Sequence, residues 1–431
     1  MPLREIELQP NFIRTAPSCL ITCGGTRVLC TATVAEGVPP FLRGAGRGWL
    51  TAEYAMLPAS TSSRNARDGI KRDGRGVEIS RLIGRSLRNA LDFSKLGERT
   101  ITIDCDVLEA DGGTRAASVT GAFVALVLCV DQLIKKSVLF DTPVIRQVAA
   151  VSVGMVQGQP LLDLCYEEDH RADVDMNVVM DERGNFIEIQ GTGETAVFSR
   201  AELSTLLDLA ENGIQKLHAK QREALRDAAR WIAPAVPRLI LATNNVHKVS
   251  ELRAMLAGRF DVLSLQEAGL FIHAEETGET FAENAALKAE AVARRTGCAS
   301  LADDSGLMVD ALDGAPGIYS ARYAGDDEAD DEKNNRLLLL NLSGKPKPWN
   351  ARFVSAIALA RPGEKTLVVE GTAPGRIVET PRGQGGFGYD PLFEYETGQT
   401  FAEMSGELKN QISHRALALR ALLDALGLES C

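Results

Sequence analysis

Four residues, Pro234-Ala-Val-Pro237, cut the chain in two. Two prolines so close together can neither extend a helix nor donate to a central strand ladder. Whatever precedes them ends there, and RLILATNN at 238–245 opens a fresh strand pattern. One domain is therefore expected at 1–234, a linker at 235–237 and a second domain at 238–431. Each stretch is long enough to bury its own core.

The first half alternates β-branched runs with helical ones. SCLITC, TRVLCTATV and RTITIDCDVL read as strands. Residues 116–136 read as a helix, too long for a strand and ending in lysines. Two further strand regions follow, RQVAAVSVGMVQGQPLLDLCY and DMNVVMDERGNFIEIQGTG, the second with Arg-Gly-Asn placed for a hairpin turn. A helix over roughly 200–231 closes an α+β domain. The second half reads as α/β.

Several function classes are set aside by composition. No uninterrupted apolar run reaches the ~18 residues of a membrane span; the nearest, Ala116–Val130, is broken by Ser118 and Thr120. The start, MPLREIELQP, lacks a signal-peptide layout, so a cytoplasmic protein is expected. The eight cysteines include no CxxC and no second pair to complete a zinc site, so buried free thiols in a reducing compartment are expected. Net charge is −11, against a general nucleic-acid binder. The halves differ: 27 basic and 30 acidic residues over 1–235 (−3), 20 and 28 over 236–431 (−8). Arg64–Arg88 holds eight basic residues against three acidic ones, and a local patch decides phosphate binding better than a global sum.

The string DGGTR at 111–115 precedes the long helix. Two glycines free the backbone, a helix N-terminus attracts anions, Thr114 offers a hydroxyl and Arg115 a two-pronged donor. A plain turn with a capping Thr fits the same letters. Downstream, EEDHRADVDMNVV places Asp169, Asp173 and Asp175 before an apolar strand. If 172–180 is extended, Asp173 and Asp175 share a face. Such carboxylates can hold Mg²⁺ or protonate a leaving oxygen; a solvated acidic loop is the alternative.

Longer strings carry a resemblance. RVLCTATVAEGVPPFLRGAGRGWLTAEYAMLPAST, RNAR, EISRLIGRSLR, ERTITIDCDVLEADGGTRAASVTGAFVAL and DMNVVM make the first half similar to ribonuclease PH over nearly its whole length. The resemblance implies a fold like domain 2 of ribosomal protein S5. It also implies phosphorolysis of RNA 3′ ends, tRNA among them, with inorganic phosphate as co-substrate and nucleoside diphosphate as product. It places phosphate binding on Arg75, Gly113, Thr114 and Arg115, and the catalytic or metal-binding carboxylates on Asp169 and Asp175; Asp173 is a weaker candidate. Arg64, Arg67, Lys71 and Arg72 would meet either RNA phosphates or neighbouring subunits. The family forms hexamers, so a ring of at least three dimers is expected. Its usual RPDGR-like start is absent from Met1-Pro2-Leu3-Arg4, which touches none of the phosphate or carboxylate positions.

The second half offers a triphosphate cradle. LILATNNVHK runs from a strand into a loop and sets Lys248 at a helix start, where it could meet phosphate; an ordinary helix start with a surface Lys fits the same letters. In EETGETFAENAALKA, a helix from Phe281 would bring Glu283 or Asn284 near Lys288. The adjacent Asp303 and Asp304 repel unless a cation is present, which suggests a metal; a solvated turn is the alternative. GGFGYDPLF and ELKNQISHR add Phe387 and Tyr389, each of which fits a plain core position and which together could sandwich a base, with Lys409 and the His414-Arg415 pair.

In order, these strings resemble the inosine/xanthosine triphosphate pyrophosphatase family over 238–426. The resemblance implies hydrolysis of ITP, dITP and XTP to monophosphate and pyrophosphate with Mg²⁺, in a protein that dimerises. It places phosphates on Thr243, Asn244, Asn245 and Lys248, metal on Glu276 and Asp304, and proton acceptance on Asp304. Nucleotide contacts fall on Lys288, Ser305, Phe387, Gly388, Tyr389, Asp390, Lys409, His414 and Arg415. A bifunctional enzyme is the leading expectation. The alternative keeps one half catalytic and makes the other an RNA-binding or nucleotide-sensing module.

Overall fold

A computed structural model describes residues 3–66, 74–272, 275–325 and 330–428. Arg67, Lys71 and Arg72, singled out above, and one of the eight cysteines, Cys431, lie outside the described residues. The chain divides into two compact units, Met1–Ala235 and Val236–Cys431.

The first unit runs β1 (Ile6–Pro10), β2 (Ser18–Cys23), β3 (Thr26–Glu36), β4 (Trp49–Met56), α1 (Gly74–Arg88), β5 (Arg99–Glu109), α2 (Thr114–Lys135), β6 (Val148–Val156), β7 (Gln159–Leu162), α3 (Tyr166–Asp169), β8 (Val174–Asp181), β9 (Phe186–Gly193) and α4 (Arg200–Leu225). One sheet has the order β1-β2-β3-β5-β4, antiparallel except for β4 beside β5. The other, β7-β6-β8-β9, is antiparallel throughout.

Helix α2 packs against β2 and β3 of one sheet and β6 of the other. A helix covered on all sides must be apolar on all sides, and eighteen of its twenty-two residues are buried. By length and composition α2 could cross a membrane, contrary to the reading of broken apolar runs; 89% of its apolar window is buried inside the unit. The interrupting Ser118 and Thr120 do not lower its hydropathy enough, and their hydroxyls bond to the backbone of Thr114 and Ala150.

The second unit runs β10 (Arg238–Leu241), α5 (Val246–Leu256), β11 (Asp261–Ser264), α6 (Phe281–Thr296), β12 (Ser300–Val309), α7 (Asp331–Leu342), β13 (Asn350–Ala360), β14 (Leu367–Ile377), β15 (Phe393–Tyr395), α8 (Gly406–Ile412) and α9 (His414–Ala425). Its sheet has the order β11-β10-β12-β13-β14-β15. Strand β10 is parallel to both neighbours, and the remaining pairs are antiparallel. Helix α6 begins at Phe281, as expected, because Thr280 and Glu283 form a reciprocal capping box.

Candidate active sites, one in each unit

In the first unit the DGGTR turn is fixed by its backbone. Gly112 and Gly113 have φ of 76° and 66°, the left-handed region. A Cβ on Gly112 would lie 2.5 Å from the Leu164 carbonyl oxygen, so no side chain fits. The Thr26 hydroxyl accepts from the Asp111 N–H (2.8 Å) and donates to the Gly112 carbonyl (2.6 Å). Arg4 reaches the turn from the N-terminal segment: Nη1 donates to the Asp111 carbonyl (2.7 Å), while Nη2 and Nε hold Asp163 at 2.6 and 3.0 Å.

The chain then enters α2. The Tyr54 hydroxyl, carried on β4, donates to Thr114 Oγ1 at 2.9 Å. Burial raises the Tyr54 pKa, and the positive charges of Arg75 and Arg115 oppose that rise. Both guanidiniums therefore stand within electrostatic reach of one phenol at the N-terminus of α2. Arg115 also approaches Gln190 Oε1 (3.5 Å), and Gln190 in turn donates to Glu78 (2.8 Å).

Asp175 lies on β8. Its pKa is pushed up to about 6 by burial and then by the charge of Asp169, with Arg115 pulling the other way. Asp169, Asp175 and Arg115 are thus brought together. Asp173 is not part of this group: β8 begins at Val174, and the Asp173 carboxylate accepts from the Thr195 hydroxyl at 2.9 Å. The expected shared face needed an extended residue 173, and the strand starts one residue later. Arg64 is exposed, with no ion pair among the described residues.

In the second unit, Asp303 and Asp304 sit on β12, where successive side chains point to opposite faces. The two carboxylates therefore meet different direct partners, although the charge of Lys248 acts on both. Asp303 is wholly buried against Lys248 (2.8 Å), Arg415 (3.1 Å) and the Ser355 hydroxyl. Burial alone would raise its pKa, but Arg415 and Lys248 outweigh burial and hold it well below the usual carboxylate range. Asp304 is raised by burial, with Lys288 offsetting part of the rise. Lys288 Nζ bridges Asp304 Oδ1 and Glu276 Oε1, each at 2.7 Å.

These groups line a cavity of about 370 Å³ with Thr243, Asn244, Asn245, Lys248 and Ser305. The Asn245 carboxamide oxygen caps α5 by accepting from the His247 and Lys248 N–H groups. Glu283 and Asn284 lie one turn before Lys288 on α6, and they also close the preceding turn: Glu283 caps α6 and Asn284 accepts from the Gly278 N–H (2.8 Å).

A second cavity of about 140 Å³ shares Asn245, Lys248 and Ser305 with the first and adds Phe387, Gly388, Tyr389, Asp390, Lys409, His414 and Arg415. The Phe387 ring is met by His247, centroids 5.3 Å apart and planes 15° from parallel, rather than by Tyr389. Tyr389 is 4% exposed and donates its hydroxyl to the Ser320 carbonyl (2.8 Å). Gly388 is held from α7, its N–H donating to Asp331 (2.7 Å) and its carbonyl accepting from Asn335 (3.0 Å). Lys409 pairs with Asp390 (2.7 Å) and Glu251 (3.2 Å), and Arg415 with Asp303 and Glu251. His414 is buried beneath Phe353, its pKa pushed down by burial, and its Nδ1 has no hydrogen-bond partner among the described residues.

Tyr54, Arg4, Gln190, His247 and Glu251 escaped the sequence reading. Glu251 alone left a signal: it lies three residues after Lys248, on the same helical face.

Among the described residues no three His, Cys, Asp or Glu side chains gather for a metal. Glu276 and Asp304 nevertheless suit Mg²⁺. They are two hard oxygen donors that already meet at one cationic atom, and Mg²⁺ commonly takes one or two carboxylates and completes its shell with phosphate oxygens and water.

Family models match both units. The 3′ exoribonuclease family matches through its domain 1 at residues 2–130 and its domain 2 at 146–213, and the Ham1 family at 239–425. Ribonuclease PH from a Synechococcus species is 58% identical over 227 residues, covering 52% of this chain and 93% of that protein. Its counterpart from Neisseria meningitidis is 56% identical over 229 residues, covering 52% and 95%. Among solved structures, the Staphylococcus aureus Ham1 protein is 41% identical with a TM-score of 0.41, covering 44% of this chain and 98% of that one. The chain belongs to the ribonuclease PH family through its first unit and carries a Ham1-family domain as its second.

Proposed function

We propose that the first unit shortens RNA, tRNA among its substrates, from the 3′ end by phosphorolysis, and that the second hydrolyses ITP, dITP and XTP to monophosphate and pyrophosphate. In the first unit the carrying observation is Arg115 at the start of α2, whose charge acts on both Tyr54, bonded to Thr114, and the raised carboxyl of Asp175. Inorganic phosphate sits at the Gly113–Thr114 turn between Arg75 and Arg115, which offset its repulsion from the RNA phosphate. Phosphate oxygen attacks the terminal phosphodiester, and the bond to the upstream 3′-oxygen breaks. Asp175, protonated through much of the range below its pKa of about 6, gives that oxygen its proton. Asp169 keeps the Asp175 proton in place by its own charge.

In the second unit the carrying observation is Lys288 between Asp304 and Glu276 inside the larger cavity. Bound Mg²⁺ would be held by those two carboxylates and would neutralise phosphate charge. Lys248 and Lys288 bind phosphate oxygens, and the base enters the smaller cavity. Asp304 takes the proton of a water that attacks the α-phosphorus; the bond to the pyrophosphate oxygen breaks. Selection of a 6-oxo purine rests on the family resemblance, supported by cationic Lys409 and Arg415 at the base cavity.

The purified chain is tested for nucleoside diphosphate release from RNA plus phosphate and for pyrophosphate release from ITP, XTP and ATP, with and without EDTA. Equal turnover of ATP and ITP, or full ITP hydrolysis in EDTA, removes the second assignment. RNA shortening that ignores phosphate removes the first. A ring built from dimers of the first unit and a dimeric second unit rest on the resemblance alone, and a monomer in light scattering at micromolar concentration excludes both. Among the described residues seven cysteines are free, six of them buried, which supports a reducing cytoplasm; fractionation that recovers the chain outside it excludes that placement.

A further inference from the structure

Helix α3 carries more than Asp169. Tyr166 opens the turn and His170 follows its end; their rings stack with centroids 6.1 Å apart and planes 11° from parallel. Tyr166 is 61% exposed. On a helical turn, positions i, i+3 and i+4 are neighbours. Tyr166, Asp169 and His170 therefore share one face, while Glu167 and Arg171 pair with each other beside it at 3.4 Å.

The same turn is tied to the phosphate side of the site. The Tyr166 N–H donates to Asp111 Oδ1 at 3.2 Å, and Asp111 opens the DGGTR turn. A Cβ on Gly112 would lie 2.9 Å from the Tyr166 nitrogen, so the two turns pack backbone to backbone. An exposed pair of parallel rings thus stands on the element that supplies one of the two site carboxylates.

We propose that Tyr166 and His170 form a stacking platform for a nucleobase at the 3′ end of the RNA. The proposal rests on the phosphorolytic reading of the first unit. Every base presents a π face, so stacking accepts any nucleotide, which suits an enzyme whose terminal base changes with each cycle.

The full chain is titrated with an RNA oligomer carrying 2-aminopurine at its 3′ terminus, without phosphate, so that nothing turns over. Stacking quenches the fluorophore in the wild type and in Tyr166→Phe. In Tyr166→Ala and Tyr166→Leu the quenching is lost and RNA affinity falls about tenfold, the scale of one base–aromatic stack. In steady state, the Ala variant raises KM for RNA and leaves KM for phosphate and kcat unchanged. Undiminished quenching in both Ala and Leu variants overturns the proposal, as does an equal rise of both KM values. Wild-type phosphorolysis is followed in parallel: its absence with quenching intact sinks the enzymatic reading and not the platform. Turnover without Tyr166-dependent quenching sinks the platform alone.

Discussion

The two sites manage positive charge in opposite ways. In the first, Arg75 and Arg115 have no ion pair among the described residues; Arg115 meets only an amide oxygen at 3.5 Å. In the second, Lys248, Lys288, Lys409 and Arg415 are each paired with at least one carboxylate. With no direct carboxylate partner among the described residues, these guanidiniums are open to phosphate, while the charge of Asp169 stands near Asp175 in the same site. The second is already neutralised, so a triphosphate must displace internal partners. Phosphate affinity in the first unit should therefore track single arginines, whereas in the second it should depend on how cations are redistributed.

The sharpest break of this contrast is Asp304→Asn. It removes a ligand of Lys288 and the candidate base while keeping shape, and ITP hydrolysis should fall by about two to four orders of magnitude. Phosphorolysis in the same protein should be unchanged. Steady-state pyrophosphate release checks this, and a loss of both activities would merge what are argued to be separate sites. Next in size is Arg115→Ala, expected to lower phosphate-dependent RNA shortening by about two to three orders of magnitude, since an unpaired donor has no substitute. ITP turnover serves as its control.

A pH profile sharpens the first site further. The Asp175 pKa is raised from 3.8 to about 6, so the carboxyl is mainly protonated below that pH and ionised above it. A proton donor of this kind makes the rate fall about tenfold per pH unit above 6, and Asp175→Asn should flatten that limb. The sign for folding follows from the same shift: the folded state holds this proton more tightly than the unfolded chain. Its contribution to stability is therefore lost as pH rises from 3.8 to about 6. The smallest effect is expected from Glu251→Gln. Lys409 and Arg415 each keep a second carboxylate, so a cost of about 1–2 kcal/mol is expected, below that of orphaning a buried charge. Thermal denaturation of the variant measures it; a larger loss would mean that Asp390 and Asp303 do not hold those cations on their own.

What could be seen in the sequence was whatever lay within one short segment. The DGGTR turn, the α2 and α6 starts and the Asp169–Asp175 pair were legible because glycines, caps and spacing are local signals. The separate direct partners of Asp303 and Asp304 were not, since they follow from a strand that turns adjacent side chains to opposite faces. Arg4 and Tyr54 were invisible for another reason. They reach the phosphate turn from 107 and 60 residues away in sequence, through sheet topology that no periodicity encodes.

Helix α2 carries a final consequence. Enclosed between two sheets, its amides can exchange with deuterium only when the unit opens as a whole. The phosphate turn is joined directly to that buried helix. Warming should therefore silence phosphorolysis and release the α2 amides together, with no intermediate in which the turn has frayed while its helix persists.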